Sequence, residues 1–513
     1  MKRPILILLA SVTVTHAELK LPAVIGSHMV LQQGQAVPIW GWAKAGQPVE
    51  VSFAGQVKKA KADASGKWMV QLEPMAASFE AGTLSVKADG ESVTCEDVLV
   101  GEVWICSGQS NMAMSLSRVK DGKLEVAAAN EPKLRLLLVG RHATLERQGD
   151  CEGTWAVCHP GNAGDITAVG YFFCRALQRS LNVPVGLIHT AWGGTPSEAW
   201  TRRAAIEGVD SLKPLLDRWD VQLEAERNGK VKELNEQRLA EWETKRAKAK
   251  AAGKPLPRKP RLQAKPSVSP HNPGNLYNGM IAPLIPFAVK GAIWYQGESN
   301  STRAHQYRAL FPLMISDWRN DWGYDLSFHF VQLANFKAKQ DDPGDSAWAE
   351  LREAQTMTLS LPKTGMAVIT DIGMARDIHP KNKQDVGKRL ARWALADDYG
   401  LDLVRSGPLY REAEIKGHKV VIHFADIGGG LMAWDREQLR GFAVAGPDQV
   451  FVWAKAKLVG KDKVEVWQDG VDNPVAVRYN WSDNPDGNLY NTAELPASPF
   501  RTDDWKITTE GKH

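Results

Sequence analysis

The sequence predicts an α/β body built on a parallel sheet, flanked before and after in the chain by all-β regions. Three observations carry this. Between Val98 and about Leu403, apolar strand-like runs end in small polar residues and lead into helices, and the unit of strand, sharp turn and helix recurs four times. Before Val98 and after Val404, short alternating runs are punctuated by Gly and Pro, the pattern of antiparallel sheets. Within the body, stretches such as Gln384 to Tyr399 place Val386, Leu390, Trp393, Ala394 and Ala396 on one stripe among Lys388, Arg389 and Arg392, so helices should cover a sheet.

The chain opens with Met1, Lys2 and Arg3, an apolar stretch from Ile5 to Val14, then Thr15, His16 and Ala17. A charged start, a short apolar core and a small terminal residue fit a secretory signal over residues 1–17. About ten apolar residues cannot span a bilayer that needs roughly 20. The expectation is a secreted or periplasmic mature chain with no membrane span, and the residue directly after the cleavage point is Glu18, not a cysteine that could carry a lipid anchor.

Residues 18–97 contain the runs Val37 to Trp42, Val49 to Phe53, Trp68 to Leu72 and Leu84 to Ala88, with turn signals at Ala45-Gly46 and Ser65-Gly66, which predicts a β-sandwich without a catalytic constellation. Residues 98–403 form the α/β body, whose helices include Ala168 to Leu181. The body is interrupted at about 215–270 by a segment of different composition. There, Ala225 to Ala252 is rich in Glu, Lys, Arg and Ala, and Gly253 to Pro270 is proline-rich, basic and extended, which reads as a solvated helix plus linker rather than a lid. Residues 404–513 return to short strands (Val420 to Phe424, Gly441 to Val444, Val450 to Ala454, Val464 to Trp467), a second all-β domain. The glycines in Ile427 to Leu431 lack the setting of a nucleotide loop.

At 513 residues the chain exceeds one ordinary domain. The formal net charge is +4, and loss of Lys2 and Arg3 would leave +2, so there is no electrostatic footprint for nucleic acid. The 19 tryptophans are mostly core and interface residues, although an excess of indoles also suits stacking on sugar rings. Cys95, Cys106, Cys151, Cys158 and Cys174 are an odd set; Cys151 and Cys158 are spaced for a small-loop disulfide, and neither CxxC nor HExxH is present to suggest a metal. Oligomeric state is not readable.

Four motifs carry chemistry. Val98 to Met112 reads VLVGEVWICSGQSNM, a buried strand ending at Ser107, Gly108, Gln109, Ser110 and Asn111. A serine placed there faces the crevice beside a helix N-terminus and free backbone N–H groups, although Ser110 and Asn111 are also ordinary helix caps. Ala191 to Trp200 reads AWGGTPSEAW, Ile293 to Asn300 reads IWYQGESN, and Thr370 to Asn382 reads TDIGMARDIHPKN. In this order GQSNM, WGGT, WYQGESN and DIHPKN resemble the sialate O-acetylesterase family, over roughly Leu19 to Trp505. The resemblance implies a serine carbohydrate esterase with a flavodoxin-like SGNH-hydrolase domain, acting on O-acetylated glycans without metal or cofactor, and a last segment that returns to the catalytic body.

A serine hydroxyl needs an imidazole to take its proton and a carboxylate to hold that imidazole's tautomer. Ser110 is the candidate nucleophile. Of the 12 histidines, His379 stands in a polar loop beside Asp377; His189 reads as a satisfied core histidine, and His305, His329 and His423 have no comparably placed acid. For the third member, Asp377 is favoured over Asp371, which suits a loop brace at a strand end. The resemblance implies oxyanion donors from the backbone N–H of Ser110, that of Gly194, and the Gln296 amide, with Asn300 as substitute, while Glu298 and Glu198 brace the loops. Other substrates remain open, notably acetylated xylan. A glycoside hydrolase using Glu298 with Asp377 or Glu198 leaves Ser110 and His379 without a task. A glycan-binding protein without catalysis would not be expected to keep both.

Overall fold

The structure is a computed structural model that describes residues 18–513; the expected signal segment, residues 1–17, lies outside the described residues. Its organising element is the 18-residue strand Glu91–Gly108. Up to Asp97 this strand alternates between covered and exposed residues, and it pairs antiparallel with Ser78–Ala88. From Val98 every residue is buried: Leu99 to Gly101 pair parallel with Val30–Gln32 while the antiparallel partner Ser78–Ala88 reaches to Val100, and from Trp104 the strand has parallel neighbours on both sides and helices over both faces. The strand runs unbroken through position 97/98. The N-terminal sheet and the parallel sheet therefore share both a strand and one hydrophobic core, which extends from Leu19 to Leu395.

Across the central sheet the order is Thr364–Ala367, Ser327–Val331, Gly291–Tyr295, Glu91–Gly108, Val185–His189, Glu131–Leu138 and Trp155–Cys158. All neighbours are parallel except the last pair, which is antiparallel. Strand order reverses at Glu91–Gly108, so its C-terminal end opens into a crevice of the kind that holds ligands in doubly wound sheets. Helices Ala168–Leu181 and Lys383–Trp393 pack on the face bearing Trp104, which meets Phe173 edge-on. Helix Ala304–Trp322 covers the other face, where Trp294 packs against Trp200, Phe311 and Trp318. The helix expected over Gln384 to Tyr399 starts at Lys383 and loosens into a π-helical turn at Ala394–Asp398.

In the N-terminal region, Val37–Trp42 pairs with Lys67–Leu72, and Pro48–Phe53 pairs with Gln56–Lys61. The charged segment forms two helices, Lys213–Arg227 and Lys230–Ala251, divided at Gly229, whose φ is +78°. Only Val231 of the second is buried, and the extended run after it folds back along the helix through Asn235 with Gln263 and Trp242 with the Pro257 carbonyl. The C-terminal region has its own core around Val420, Ile422, Val464 and Tyr479. Its tail docks on the body: the Gln332 amide donates to Ser498 (2.9 Å), Arg501 pairs with Glu353 (2.7 Å), and Glu350 accepts the backbone N–H groups of Thr508 and Thr509. All five cysteines are free thiols, so Cys151 and Cys158 are unbridged. Among the described residues no helix is long and apolar enough to cross a membrane.

Candidate active site

The serine turn begins with a glycine that no other residue can replace. Gly108 has a φ of +133°, and a Cβ there would lie 2.2 Å from the Tyr295 carbonyl oxygen of the neighbouring strand. This close approach ends the strand and lets Ser110 open the short helix Ser110–Ala113 at the crevice. Gly193 approaches from the next loop, less closely: a Cβ there would stand 3.3 Å from the Ser110 Cβ.

His379 arrives on the fourth loop, with Nε2 2.8 Å from the Ser110 hydroxyl oxygen. Asp377 accepts the His379 backbone N–H at 2.9 Å, and its carboxylate lies 3.5 Å from His379 Nδ1 and 3.4 Å from Lys381. With the ring proton on Nδ1, facing that carboxylate, the serine hydroxyl donates to Nε2. Burial pushes the imidazole below its ordinary value and Lys383 and Lys381 push the same way, against Asp377, which favours the neutral ring that can accept a proton. The His379 N–H, helped by Lys381, holds Asp377 below the usual carboxylate range. Asp371 is engaged elsewhere, in a two-pronged ion pair with Arg389 at 2.6 and 2.7 Å.

Glu298 and Asn111 link the loops. Glu298 accepts the Gln109 amide and the Asn111 amide, both at 2.5 Å, and burial raises its carboxyl above the ordinary range. Asn111 Nδ2 also donates to the Ile378 carbonyl at 2.9 Å, one residue before His379. Behind them Lys383, fully buried, donates to Asn111 Oδ1 at 2.6 Å. The sequence reading missed this lysine. One signal was available: it opens a helix, where a positive charge opposes the helix dipole and needs a reason.

Two expected positions behave differently. Gln296, expected to turn its amide toward the oxyanion, is fully buried and gives its amide hydrogens to the Thr195 carbonyl (3.3 Å) and Asn300 Oδ1 (2.6 Å), while Tyr307 donates to its oxygen. A donor with both hydrogens engaged has none left. Asn300 is likewise buried, accepting from the Ser197 N–H and donating to Glu198. Both side chains therefore brace the WGGT turn. Glu198 is locked at 2.9 Å to Arg303, closing it to two-carboxylate chemistry. By contrast, among the described residues no acceptor takes the backbone N–H of Ser110 or Gly194, and the Gly194 carbonyl is held by His271 Nε2 at 3.0 Å. His189 is buried, but neither ring nitrogen has a partner, and burial lowers it to about 4. His329 does have an acid, Asp398, at 2.7 Å.

The arrangement can move a proton from a serine to a neutral imidazole beside two unengaged N–H groups, which is the equipment of acyl transfer. A family model described as carbohydrate esterase, sialic acid-specific acetylesterase, matches residues 100–232 and 267–396. The chain is 30% identical over 433 residues to the sialate O-acetylesterase of Rattus norvegicus, covering 76% of each chain. It is 30% identical over 440 residues to that of Homo sapiens, covering 78% of this chain and 75% of the relative. A crystal structure of a carbohydrate acetylesterase from Xanthomonas citri is 41% identical, with a TM-score of 0.80 over 95% of this chain and 100% of that one.

Proposed function

Because the chain belongs to the sialic acid-specific acetylesterase family of carbohydrate esterases, and so is a carboxylic ester hydrolase, we propose that it removes O-acetyl groups from sialic acids through an acetylated Ser110. The observation that carries this reading is the 2.8 Å contact between the Ser110 hydroxyl and His379 Nε2. In it, His379 Nε2 takes the hydroxyl proton as Oγ attacks the acetyl carbonyl carbon. The oxyanion lies against the N–H groups of Ser110 and Gly194, and Asp377 supports the imidazolium. His379 then returns the proton to the departing sugar oxygen, leaving acetyl-Ser110. A water activated by the same imidazole releases acetate. The strand order, with Ser110 and His379 at the crevice, supports reading the body as a flavodoxin-like SGNH-hydrolase domain. Export by the segment Met1 to Ala17 belongs to the same reading.

Sialate is favoured over neutral polysaccharide by the names of the relatives and by exposed Arg141, whose guanidinium lies 5.7 Å from the Trp192 ring of the WGGT turn and could meet a sugar carboxylate. Acetate release should be measured across acetylated sialic acids, acetylated xylan and an aryl acetate, with Ser110→Ala as control. Turnover greatest on sialates, abolished in the control, is expected. Preference for xylan would overturn the substrate, and an active control would overturn the nucleophile.

A further inference from the structure

Lys383 carries the most unusual environment near the crevice. It is fully buried, its ammonium nitrogen is 2.6 Å from Asn111 Oδ1 and 4.7 Å from the centre of the Tyr295 ring, and it meets no carboxylate directly. We propose that Lys383 is a positioning residue for the esterase reaction: its side chain sets the Asn111 amide, and through it the placement of His379 against Ser110. The inference rests on the reading of Ser110 and His379 given above.

The chemistry of the amide makes the argument. An ammonium group only donates, so Asn111 must turn its oxygen toward Lys383 and both amide hydrogens the other way. Those hydrogens then reach Glu298 Oε1 at 2.5 Å and the Ile378 carbonyl at 2.9 Å. Asn111 follows Ser110 directly and Ile378 precedes His379 directly, so one amide ties the nucleophile's turn to the base's loop. Without Lys383 the amide oxygen is buried with no donor, and the tie can relax only by moving one of the two loops.

Charge adds a second effect. The groups facing Lys383 are Glu298 across Asn111 and, on its own loop, Lys381 and Asp377; burial lowers the lysine to about 7. Throughout the range below pH 6.5, where His379 would gain its proton, Lys383 is therefore largely charged and opposes that gain. Removing the charge should raise the histidine's pKa.

The test is aryl acetate hydrolysis by the full chain, comparing Lys383→Met, Asn111→Ala and the double variant with wild type, with thermal melting to establish folding. For Lys383→Met the expected result is kcat lower by about tenfold or more, as for loss of an interaction that serves the transition state, with KM little changed. The acid limb of the kcat/KM profile should move upward by about half a pH unit. If Lys383 works through Asn111, the double variant should be little slower than Asn111→Ala alone. An unchanged kcat and acid limb, or losses that add in full, would overturn the inference. Should the methionine variant not fold, Lys383→Gln, shorter and uncharged, is read by the same two criteria. Ser110→Ala run in parallel separates the cases: an active serine variant refutes the reading of the site, whereas an inactive one beside a wild-type-like Lys383→Met refutes this inference alone.

Discussion

His329 and Asp398 meet at 2.7 Å with side chains 1% and 7% exposed, whereas His379 and Asp377 stand 3.5 Å apart with 34% and 36% exposed. The tighter pair lies in the core, and the proposed reaction uses the looser one. Asp398 occupies His329 Nε2 and also takes the Ser327 hydroxyl, while the imidazole stacks on Trp104. Burial would raise Asp398, yet the His329 bond and charge hold it below its ordinary value. Asp398 thus holds His329 Nε2 and the Ser327 hydroxyl inside the core, and the other ring nitrogen, Nδ1, is buried without a partner. In the crevice the reverse holds: His379 keeps Nε2 for Ser110, and its carboxylate contact is long, a looseness common before substrate arrives. What singles out the proposed base is therefore an accessible nitrogen with a serine 2.8 Å away, and not the closeness of its aspartate.

The largest effect that can break this contrast comes from the histidines. His379→Ala should lower turnover by about 10⁴-fold or more with little change in melting temperature. His329→Ala should leave Asp398 buried without its partner and cost roughly 3–5 kcal/mol of stability, with a smaller kinetic loss. Kinetics and thermal melts of both variants check this, and a reversal of the two patterns would exchange their roles.

The aspartates give a finer cut. Asp377→Asn should lower kcat by up to roughly 10⁴-fold, because the imidazole loses both its tautomer and the support of its positive charge. Asp371→Asn instead removes the partner of Arg389, so it should lower the melting temperature with a milder kinetic loss. If Asp377→Asn keeps most activity while Asp371→Asn loses it at unchanged melting temperature, the assignment is wrong.

The smallest effect is expected far from both pairs. Asn235 and Gln263 are already joined by hydrogen bonds of 2.9 and 2.8 Å, so residues 236–262 can be replaced by a short Gly/Ser bridge without moving either end. Aryl acetate kcat/KM should stay within about twofold, since the new loop closes a gap the fold already spans. Loss of activity in a folded product would show that the segment covers the crevice.

Much of this protein was legible along the chain because its signals are local. Alternation of apolar residues specifies Val37–Trp42 and Lys67–Leu72, an apolar stripe specifies Ala168–Leu181, and the four polar turns name Ser110, Gly194, Glu298 and His379 before any of them is brought together. What the tertiary structure alone decided depends on partners distant in sequence. Lys383 and Asn111 are 272 residues apart and His329 and Asp398 are 69 apart, so no window of the chain contains either contact. The direction of the Gln296 amide was equally hidden, because Thr195 and Tyr307, which claim it, come from another loop and a helix. The single strand from Glu91 to Gly108 that joins two sheets was hidden for a related reason: composition changes at Val98, but the backbone hydrogen bonding that carries one strand through the change is set by neighbours from four other segments. Residue type fixes which groups can donate, accept or pack, and only the folded chain assigns each of them a partner.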